Sequence, residues 1–409
     1  MTLDVQAAAL EYLASKETEL LEFTKEMIRT PSPNPPGDER AMADLVIEYL
    51  DSLGVTDIER LGAEDHRPNL IARVPGRGGG PTLMLSGHID TKPAGDMNAW
   101  ETDPWDPVEI DGQLWGLGSG DMKAAVAAMC HTAGAVLEAG PLAGDLVLAF
   151  TADEEAGSAM GSKWLAENDH LDADVCIIGE PSGITREWES IHLVSRGAAL
   201  FKINVYGTQM HSSITDRLPS VNAVVKMARL MDRMDREFRT LVTYDEHPLC
   251  PVGPTVNVGV MVEGGVFYGV NPGYAQFACD LRTLPGMTEE SVRSDIERFL
   301  DEARRDDPDL EVEVDFELMV DACEIEAGHP IVVALQKASA EVLDEEPRLD
   351  AFPGATDAPH FQLTADIPTV AAFGPGMLPR AHSPNEYLAV SSVAEAARIY
   401  TLATIDYLG

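Results

Sequence analysis

The sequence predicts an α/β protein in which a domain with a mostly parallel central sheet is interrupted by an inserted α+β domain. Short, nearly all-apolar runs such as Leu146–Thr151 and Val175–Ile178 are typical of strands covered on both faces, as in a parallel sheet. Near residue 190 the chain changes to runs in which polar and apolar residues alternate, a pattern typical of strands with one solvated face. The predicted boundaries are residues 1–190 and 319–409 for the interrupted domain and residues 191–318 for the insert.

The interrupted domain begins with two helical patterns. Apolar residues recur at helical spacing from Val5 to Thr30, and the prolines that start at Pro31 prevent this helix from continuing. A second pattern, Glu39–Leu53, ends before Gly54, and glycine commonly terminates helices. The remaining elements predicted for this domain are strands at Asn69–Val74, Thr82–Ser86 and Ile367–Phe373 and helices at Met122–Glu138 and Ile331–Leu343.

The insert has the element order β-α-β-β-α-β, which is a complete split-βαβ, ferredoxin-like unit. Its helices are predicted from residues with helical spacing, and its strands from alternation. In chain order the elements are Leu200–Tyr206, helix Ser220–Met234, Thr255–Met261, Ala275–Arg282, helix Thr288–Ala303 and Leu310–Phe316.

Composition excludes several classes of protein. The chain has 409 residues with 29 Lys and Arg against 69 Asp and Glu, a net charge of −40 that would repel nucleic acid. No run approaches the roughly 18 consecutive apolar residues of a membrane helix, and no secretory signal is visible at Met1. The five cysteines are widely spaced without C-x-x-C, which argues against disulfides and thiolate zinc sites and favours a reducing cytoplasm.

The acidity itself has two interpretations. The acidic residues are scattered along the whole chain, and only 8 of the 29 basic residues are lysines. A solvated acidic surface that maintains solubility explains this distribution. Adaptation to a salt-rich cytosol, where screening removes the self-repulsion, explains it as well.

Metal-binding residue types follow four of the apolar strands. His88 and Asp90 follow one strand, the run Asp153–Glu155 a second, Glu180 a third, and His382 comes shortly after the fourth. In open α/β sheets ligands bind beyond the carboxyl ends of the strands, so these segments can converge. Asp121, in a glycine-rich segment before a helix, is a fifth contributor.

This donor set indicates a metal centre. Two imidazoles with several carboxylates and no thiolate suit Zn²⁺, with Co²⁺ or Mn²⁺ as substitutes. An H-x-D pair, an Asp-Glu-Glu run or a Gly-Glu-Pro turn is ordinary by itself. The ordered combination, each member at the end of the right kind of element, is what favours a metal site.

With these motifs, the chain resembles the co-catalytic zinc aminoacylase/carboxypeptidase family, which includes acetylornithine and succinyl-diaminopimelate deacylases. The resemblance covers nearly the whole chain, from Thr30–Ser32 and Asn34–Gly37 to Ala381–Tyr387. It implies a zinc-binding catalytic domain interrupted by a lid that dimerises. We therefore expect a homodimeric cytoplasmic enzyme that needs neither a nucleic acid nor a membrane as partner.

The resemblance also implies a role for each matching residue. His88 and Glu180 would bind one Zn²⁺, His382 and Glu155 the other, and Asp121 would bridge the two. Asp90 would hydrogen-bond His88, and Glu154 would be the general base that activates a metal-bridging hydroxide.

Four residues of the insert and the late glycine-rich turn match family positions that contact the substrate. His211 would stabilise the oxyanion, typically in the partner subunit's active site, and otherwise is an ordinary surface-loop histidine. Arg282 would bind the substrate carboxylate, or it forms a structural pair with Asp280. Asn257 and Gly354 complete this set of candidate substrate-binding residues.

The expected activity is hydrolysis of an N-acyl amino acid or short peptide. Gly179-Glu180-Pro181 favours a deacylase of the acetylornithine or succinyl-diaminopimelate type over a dipeptidase or carboxypeptidase. Leu117, Ala124 or Ala125, and Met210 depart from the usual family residues without removing a metal ligand, so they leave the subfamily open. A non-catalytic binding homologue would have lost a ligand or the base, and a phosphoester hydrolase fits an acidic chain poorly.

Overall fold

The strands with all-apolar sequences lie side by side in one sheet of the computed structural model, which describes residues 2–409 and, for Thr2 and Leu3, the backbone only. The chain forms two units. The first comprises the chain up to Ser195 together with Glu324–Phe352 and Thr356–Gly409. The second comprises Arg196–Cys323 and Pro353–Ala355.

The helices and strands are numbered in chain order. The α-helices are α1 (Thr2–Arg29), α2 (Arg40–Ser52), α3 (Ala124–Ala139), α4 (Ser162–Glu167), α5 (Ala223–Leu241), α6 (Glu289–Asp306), α7 (Pro330–Leu343) and α8 (Val390–Leu408). The strands are β1 (Asp57–Leu61), β2 (Asn69–Val74), β3 (Thr82–His88), β4 (Val108–Ile110), β5 (Gln113–Trp115), β6 (Asp145–Thr151), β7 (Val175–Ile178), β8 (Pro181–Gly183), β9 (Ser190–Ser195), β10 (Gly197–Tyr206), β11 (Met210–His211), β12 (Thr255–Gly264), β13 (Val270–Asn271), β14 (Tyr274–Thr283), β15 (Glu311–Val320), β16 (Cys323–Glu324), β17 (Arg348–Phe352), β18 (Thr369–Val370), β19 (Gly374–Met377) and β20 (Tyr387–Ala389).

The main sheet of the first unit has the strand order β1-β2-β6-β3-β7-β18. Strands β6, β3, β7 and β18 are parallel neighbours, and β2 runs antiparallel to both β1 and β6. Every residue of β7 is buried, as are all residues of β3 and β6 except the first, which accounts for their apolar sequences. The predicted α/β class is confirmed.

Helices cover this sheet. Helices α1, α3 and α8 pack against one another, and α3 and α8 also contact β3 and β6. Helix α3 is buried along nearly its whole length, because its alanines and glycine allow close approach on several sides. A Cβ atom at Gly134 in α3 would lie 2.6 Å from the hydroxyl oxygen of Tyr12 in α1, so the Tyr12 side chain occupies the space that this glycine leaves open.

The second unit contains a four-stranded antiparallel sheet with the order β12-β14-β10-β15. Its amphipathic helices α5 and α6 pack on this sheet, burying residues such as Leu230, Phe238 and Phe299. Asn222 caps α5 by accepting a hydrogen bond from the Val225 backbone N–H, and Thr288 caps α6 in the same way.

Several elements differ from the sequence prediction. The strand predicted at Ile367–Phe373 is reduced to Thr369–Val370, because Pro368 has no N–H to donate and the next residues pair with His192 instead. The helix predicted from Met122 begins at Ala124. Strand β1 and helix α8 were not predicted.

Among residues 2–409, no helix is both long and apolar enough to cross a membrane. All five cysteines are buried, at Cys130, Cys176, Cys250, Cys279 and Cys323.

Candidate metal centre

Three neighbouring parallel strands bring candidate residues to one edge of the main sheet. Strand β3 ends at His88, the segment with Glu154 and Glu155 follows β6, and Glu180 follows β7 two residues after its end. The carboxyl ends of parallel strands meet at the same edge, so residues far apart in the sequence become neighbours here.

The first cluster consists of His88, Asp121 and Glu180, all buried. The His88 Nε2 atom lies 2.9 Å from Asp121 Oδ1 and 3.6 Å from Glu180 Oε1. The other ring nitrogen, Nδ1, lies 3.0 Å from the backbone carbonyl oxygen of Asp90. The ring is therefore fixed from one side, and its Nε2 atom faces the two carboxylates.

The second cluster consists of Asp121, Glu155 and His382. The His382 Nε2 atom lies 3.1 Å from Asp121 Oδ2 and 3.0 Å from Glu155 Oε2. Unlike His88, whose side chain is 1% exposed, the His382 side chain is 48% exposed. His382 also has a positive φ of 57°, a conformation that non-glycine residues rarely adopt and that recurs at functional sites.

Asp121 joins the two clusters. Its Oδ1 atom faces His88 and its Oδ2 atom faces His382, so one carboxylate serves both imidazoles. The residue lies in an irregular segment before α3, with φ −123° and ψ 89°, rather than in the helix itself. This non-helical backbone places its side chain between the two histidines.

The donors fit a pair of divalent cations. Within each cluster the ligand atoms lie within 4.8 Å of one another and comprise one imidazole nitrogen and two carboxylates. Imidazole with carboxylate is the ligand set of zinc and related metals.

The electrostatics of the clusters favour positive charge. Burial alone would lower the pKa of His382, but its hydrogen bonds to Asp121 and Glu155 outweigh burial and raise that pKa to about 10. Burial, followed by the charge of Asp121, raises the pKa of Glu180 well above its usual range. Crowded carboxylates of this kind are stabilised by a cation, which removes their mutual repulsion.

Asp90 supports His88 and the segment after β6. Its Oδ1 atom lies 3.5 Å from His88 Nδ1, and its carboxylate accepts hydrogen bonds from the backbone N–H groups of Glu154 (3.3 Å) and Glu155 (3.2 Å). Its side chain is completely buried. Asp90 thus holds a histidine and the acidic run in a fixed relation to each other.

Glu154 differs from its neighbour Glu155. Its carboxylate accepts no hydrogen bond from any described residue, whereas Glu155 Oε1 accepts one from the Lys92 backbone N–H at 2.9 Å. Burial, followed by the charge of Glu180, raises the pKa of Glu154 well above its usual range. A carboxylate with a raised pKa and without a hydrogen-bonded partner is suited to take up a proton.

Several residues around the centre were not predicted from the sequence. The Lys92 Nζ atom lies 3.2 Å from Glu155 Oε2. The Asn34 side-chain amide donates to Asp90 Oδ2 at 2.8 Å and to Asp153 Oδ1 at 3.1 Å. Asn34 belongs to a segment that carries the family resemblance, and that segment was the one signal that could have identified it.

A buried ion network extends from Asn34 away from the centre. Arg67, 3% exposed, binds Asp153 and lies 3.2 Å from Glu39 Oε2. One guanidinium cannot neutralise two buried carboxyl groups, and burial, followed by the charge of Asp90, raises the pKa of Glu39 to about 8. The Arg67 guanidinium therefore donates a hydrogen bond to Asp153, whereas the Glu39 carboxyl oxygens have no hydrogen-bond partner among the described residues.

The remaining candidate residues belong to the second unit. His211 is exposed, and its Nδ1 atom lies 2.8 Å from Ser213 Oγ. Arg282 donates to Asp280 Oδ2 at 2.9 Å, and strand register places Asn257 opposite Asp280. The Gly354 carbonyl accepts a hydrogen bond from the backbone N–H of Arg196 at 3.1 Å. The substrate-binding roles of these four residues stay predictions.

Comparison with known proteins identifies sequence relatives. Residues 84–405 match peptidase family M20/M25/M40. The chain is 35% identical over 218 residues to a succinyl-diaminopimelate desuccinylase of Cereibacter sphaeroides, but this match covers 52% of the chain and only 55% of that relative, about half its length. It is 29% identical over 364 residues to an acetylornithine deacetylase of Myxococcus xanthus, covering 88% and 87% of the two chains.

The fold also has solved counterparts. One is a dinuclear metal-binding peptidase of family M20 from Bacillus subtilis, with a TM-score of 0.68 and 16% identity over 97% of this chain and 99% of that one. At this level of identity the likeness concerns the fold alone.

Proposed function

Because the chain belongs to peptidase family M20/M25/M40, whose members are metal-dependent hydrolases, we propose that it cleaves the amide bond of an N-acyl amino acid or short peptide. The observation that carries the proposal is the shared carboxylate of Asp121, with one oxygen facing His88 and the other facing His382. Glu155 and Glu180 complete the two clusters.

The two clusters would each hold one metal ion, for which we propose zinc, with Co²⁺ or Mn²⁺ as substitutes. His88, Asp121 and Glu180 would bind the first ion, and Asp121, Glu155 and His382 the second. Bound there, divalent cations supply Lewis acidity, which polarises a carbonyl group and makes water a stronger acid.

The protein groups would move the protons. The Glu154 carboxylate, which accepts no hydrogen bond among the described residues, takes a proton from the attacking water and passes it to the nitrogen of the departing amine. Asp90 accepts a hydrogen bond from the Nδ1–H group of His88. This contact keeps the ring in the tautomer in which Nε2 carries no proton and can bind a metal ion. No covalent enzyme intermediate is required.

For the substrate we propose a deacylase reaction of the acetylornithine or succinyl-diaminopimelate type. Both relatives described above carry names of this class. Arg282 would bind the α-carboxylate, with His211, Asn257 and Gly354 contacting the rest of the substrate. Within the second unit Arg282 is bound to Asp280, so it must exchange this partner for the substrate. The alternative is a dipeptidase or carboxypeptidase of the same family.

We further propose that the second unit, predicted as a lid across residues 191–318, forms a homodimer. Strand β12 is an edge strand of its sheet, and Met261 and Val262 on it are 58% and 54% exposed. Phe267 and Tyr268, in the turn that follows, are 76% and 92% exposed. An exposed strand edge with apolar side chains is suited to pair with a second copy. His211 would then serve the partner subunit's active site.

The test is amine release by protein loaded with Zn²⁺ or Co²⁺, with and without a chelator. Substrates are N-acetylornithine, N-succinyl-diaminopimelate, other N-acetyl amino acids and dipeptides. We expect chelator-sensitive turnover of one N-acyl class at both low and molar salt. Turnover of dipeptides alone would favour the peptidase alternative. Two bound metal ions without any turnover would contradict this substrate class, and no bound metal would favour a non-catalytic binding homologue.

A further inference from the structure

Glu386 joins the two segments that carry the shared carboxylate and the exposed histidine. Its side chain is buried, with 1% of the residue exposed. Its Oε1 atom accepts hydrogen bonds from the backbone N–H groups of Gly120 (2.8 Å) and Asp121 (3.1 Å), and Oε2 accepts one from Gly118 (3.0 Å). Its own backbone carbonyl accepts a fourth bond from the Gly116 N–H at 3.0 Å.

These contacts explain how an irregular segment keeps one conformation. Gly118 has a φ of 77°, and Asp121 departs from helical geometry, so the N–H groups of Gly118, Gly120 and Asp121 find no partners in a helix. Nearby backbone N–H groups that converge in this way form an anion-binding concavity. The chain fills that concavity with its own carboxylate, because buried N–H groups without an acceptor are costly.

Glu386 is also close in the sequence to a candidate metal ligand. His382 lies four residues before Glu386. A single carboxylate therefore holds the backbone of Asp121 while it anchors the segment that carries His382. These two residues supply two of the three ligand groups in the second cluster.

We propose that Glu386 is a positioning residue for the metal centre. It fixes the position of Asp121 relative to His382. This inference rests on the proposed function, because it assumes that the clusters bind metal. Groups that hydrogen-bond and orient metal ligands typically contribute 10–100-fold to metal affinity, and Glu386 orients Asp121 through its backbone.

The test is Glu386→Gln, with Glu187→Gln as the matched control. Glu187 is a carboxylate of the first unit that is only partly buried, and it accepts hydrogen bonds from the Ala389 backbone N–H at 2.7 Å and from the Ser392 hydroxyl. In Glu386→Gln one oxygen is replaced by an NH₂ group, which cannot accept a hydrogen bond from the backbone. The readouts are Zn²⁺ affinity in chelator-buffered titrations and the visible spectrum of Co²⁺-loaded protein.

We expect Glu386→Gln to weaken binding of the more weakly held of two Zn²⁺ ions at least about tenfold and to change the Co²⁺ spectrum. Glu187→Gln should change that affinity less than about twofold. Equal affinities for wild type and Glu386→Gln, or equal losses in the two variants, would overturn the role of Glu386. Should Glu386→Gln fail to fold, Glu386→Asp carries the same test, because its shorter side chain keeps the charge but cannot reach all three N–H groups.

The wild-type titration distinguishes a failure of the proposed dinuclear centre from a failure of the positioning role of Glu386. If wild-type protein binds two ions and Glu386→Gln binds them with the same affinity, only the positioning role is contradicted. Wild-type protein that binds fewer than two ions contradicts both the dinuclear centre of the proposed function and this inference.

Discussion

Glu154 and Glu155 are adjacent carboxylates, and the structure assigns them different chemistry. Glu155 contacts His382 and accepts a hydrogen bond from Lys92, whereas the Glu154 carboxylate accepts none among the described residues. We therefore expect Glu154→Gln to keep the metal content of wild type and to lower kcat by roughly 10²–10⁴-fold. Metal analysis together with steady-state kinetics measures both. Glu167→Gln, at an exposed position, is the control, and a kcat near wild type for Glu154→Gln would contradict its role as the base.

Glu39 provides a prediction about stability and pH. Burial, followed by the charge of Asp90, raises the pKa of this carboxyl to about 8 from its ordinary value of 4.5. Between these two values the folded state binds a proton that the unfolded state has lost. The contribution of Glu39 to stability is therefore complete below about pH 4.5 and decreases as the pH rises towards 8, by at most about 1.4 kcal/mol per pH unit.

Glu39→Gln should remove this dependence. We expect the variant to gain stability relative to wild type as the pH rises from 5 to 8, in urea unfolding measured at several pH values. Glu48→Gln, at an exposed position of the adjoining helix α2, should run parallel to wild type. A Glu39→Gln curve that also runs parallel to wild type would show that Glu39 titrates normally.

At the scale of elements, the proline-rich turn after α1 depends on one glycine. Gly37 has a φ of 76°, and a Cβ atom there would lie 1.1 Å from Arg67 Nη1. We expect Gly37→Ala to lower the free energy of unfolding by at least about 3 kcal/mol, since a left-handed alanine is strained and the buried guanidinium would be displaced. Gly78→Ala is the control in urea unfolding, because Gly78 has a similar φ of 84° with no atom within 4 Å of its Cβ position. Equal losses in both variants would contradict the argument from the clash.

The elements also show what sequence patterns can predict. The apolar strands β6 and β7 were predicted nearly to the residue, because burial on both faces leaves a clear signature. Strand β18 was predicted too long, because its end depends on a pairing with His192 that lies far away in the sequence. Helix α8 is buried on most sides, so its polar and apolar residues do not form two distinct faces.

The candidate centre likewise contains residues that sequence patterns can predict and contacts that they cannot. Residues at strand ends, such as His88 and Glu180, could be found because their place in the sequence determines their place in the sheet. The contacts of Lys92 and Arg67 depend on side-chain directions that no local pattern encodes. The family resemblance itself is confirmed by the match over residues 84–405.

At the scale of the whole molecule, the net charge predicts a response to salt. A charge of −40 over an accessible surface of 17,141 Å² is one net charge per about 430 Å². Such charges are separated by about 20 Å, which is less than the Debye length of roughly 30 Å at 0.01 M salt and about twice that of roughly 10 Å at 0.1 M. Repulsion across the surface is therefore strong in dilute buffer and largely screened at 0.1 M.

We expect the melting temperature to rise with KCl from 0.01 M to about 0.2 M and then to level off. Sucrose at matched osmolality is the control, because it does not screen charge. A continued rise up to molar KCl would favour adaptation to a salt-rich cytosol. No rise at all would show that the acidic surface does not affect stability.

The interruption of the first unit has a consequence for synthesis on the ribosome. When residue 323 has been made, the continuous stretch that supplies all four strands of the second unit's sheet is complete. At that moment the first unit, although begun earlier, still lacks α7, α8 and His382. Its main sheet then has every strand except β18 but lacks the covering helix α8, so its apolar residues stay exposed, or are shielded by other proteins, until these later residues are made. The metal centre is therefore one of the last parts of the protein that a nascent chain can assemble.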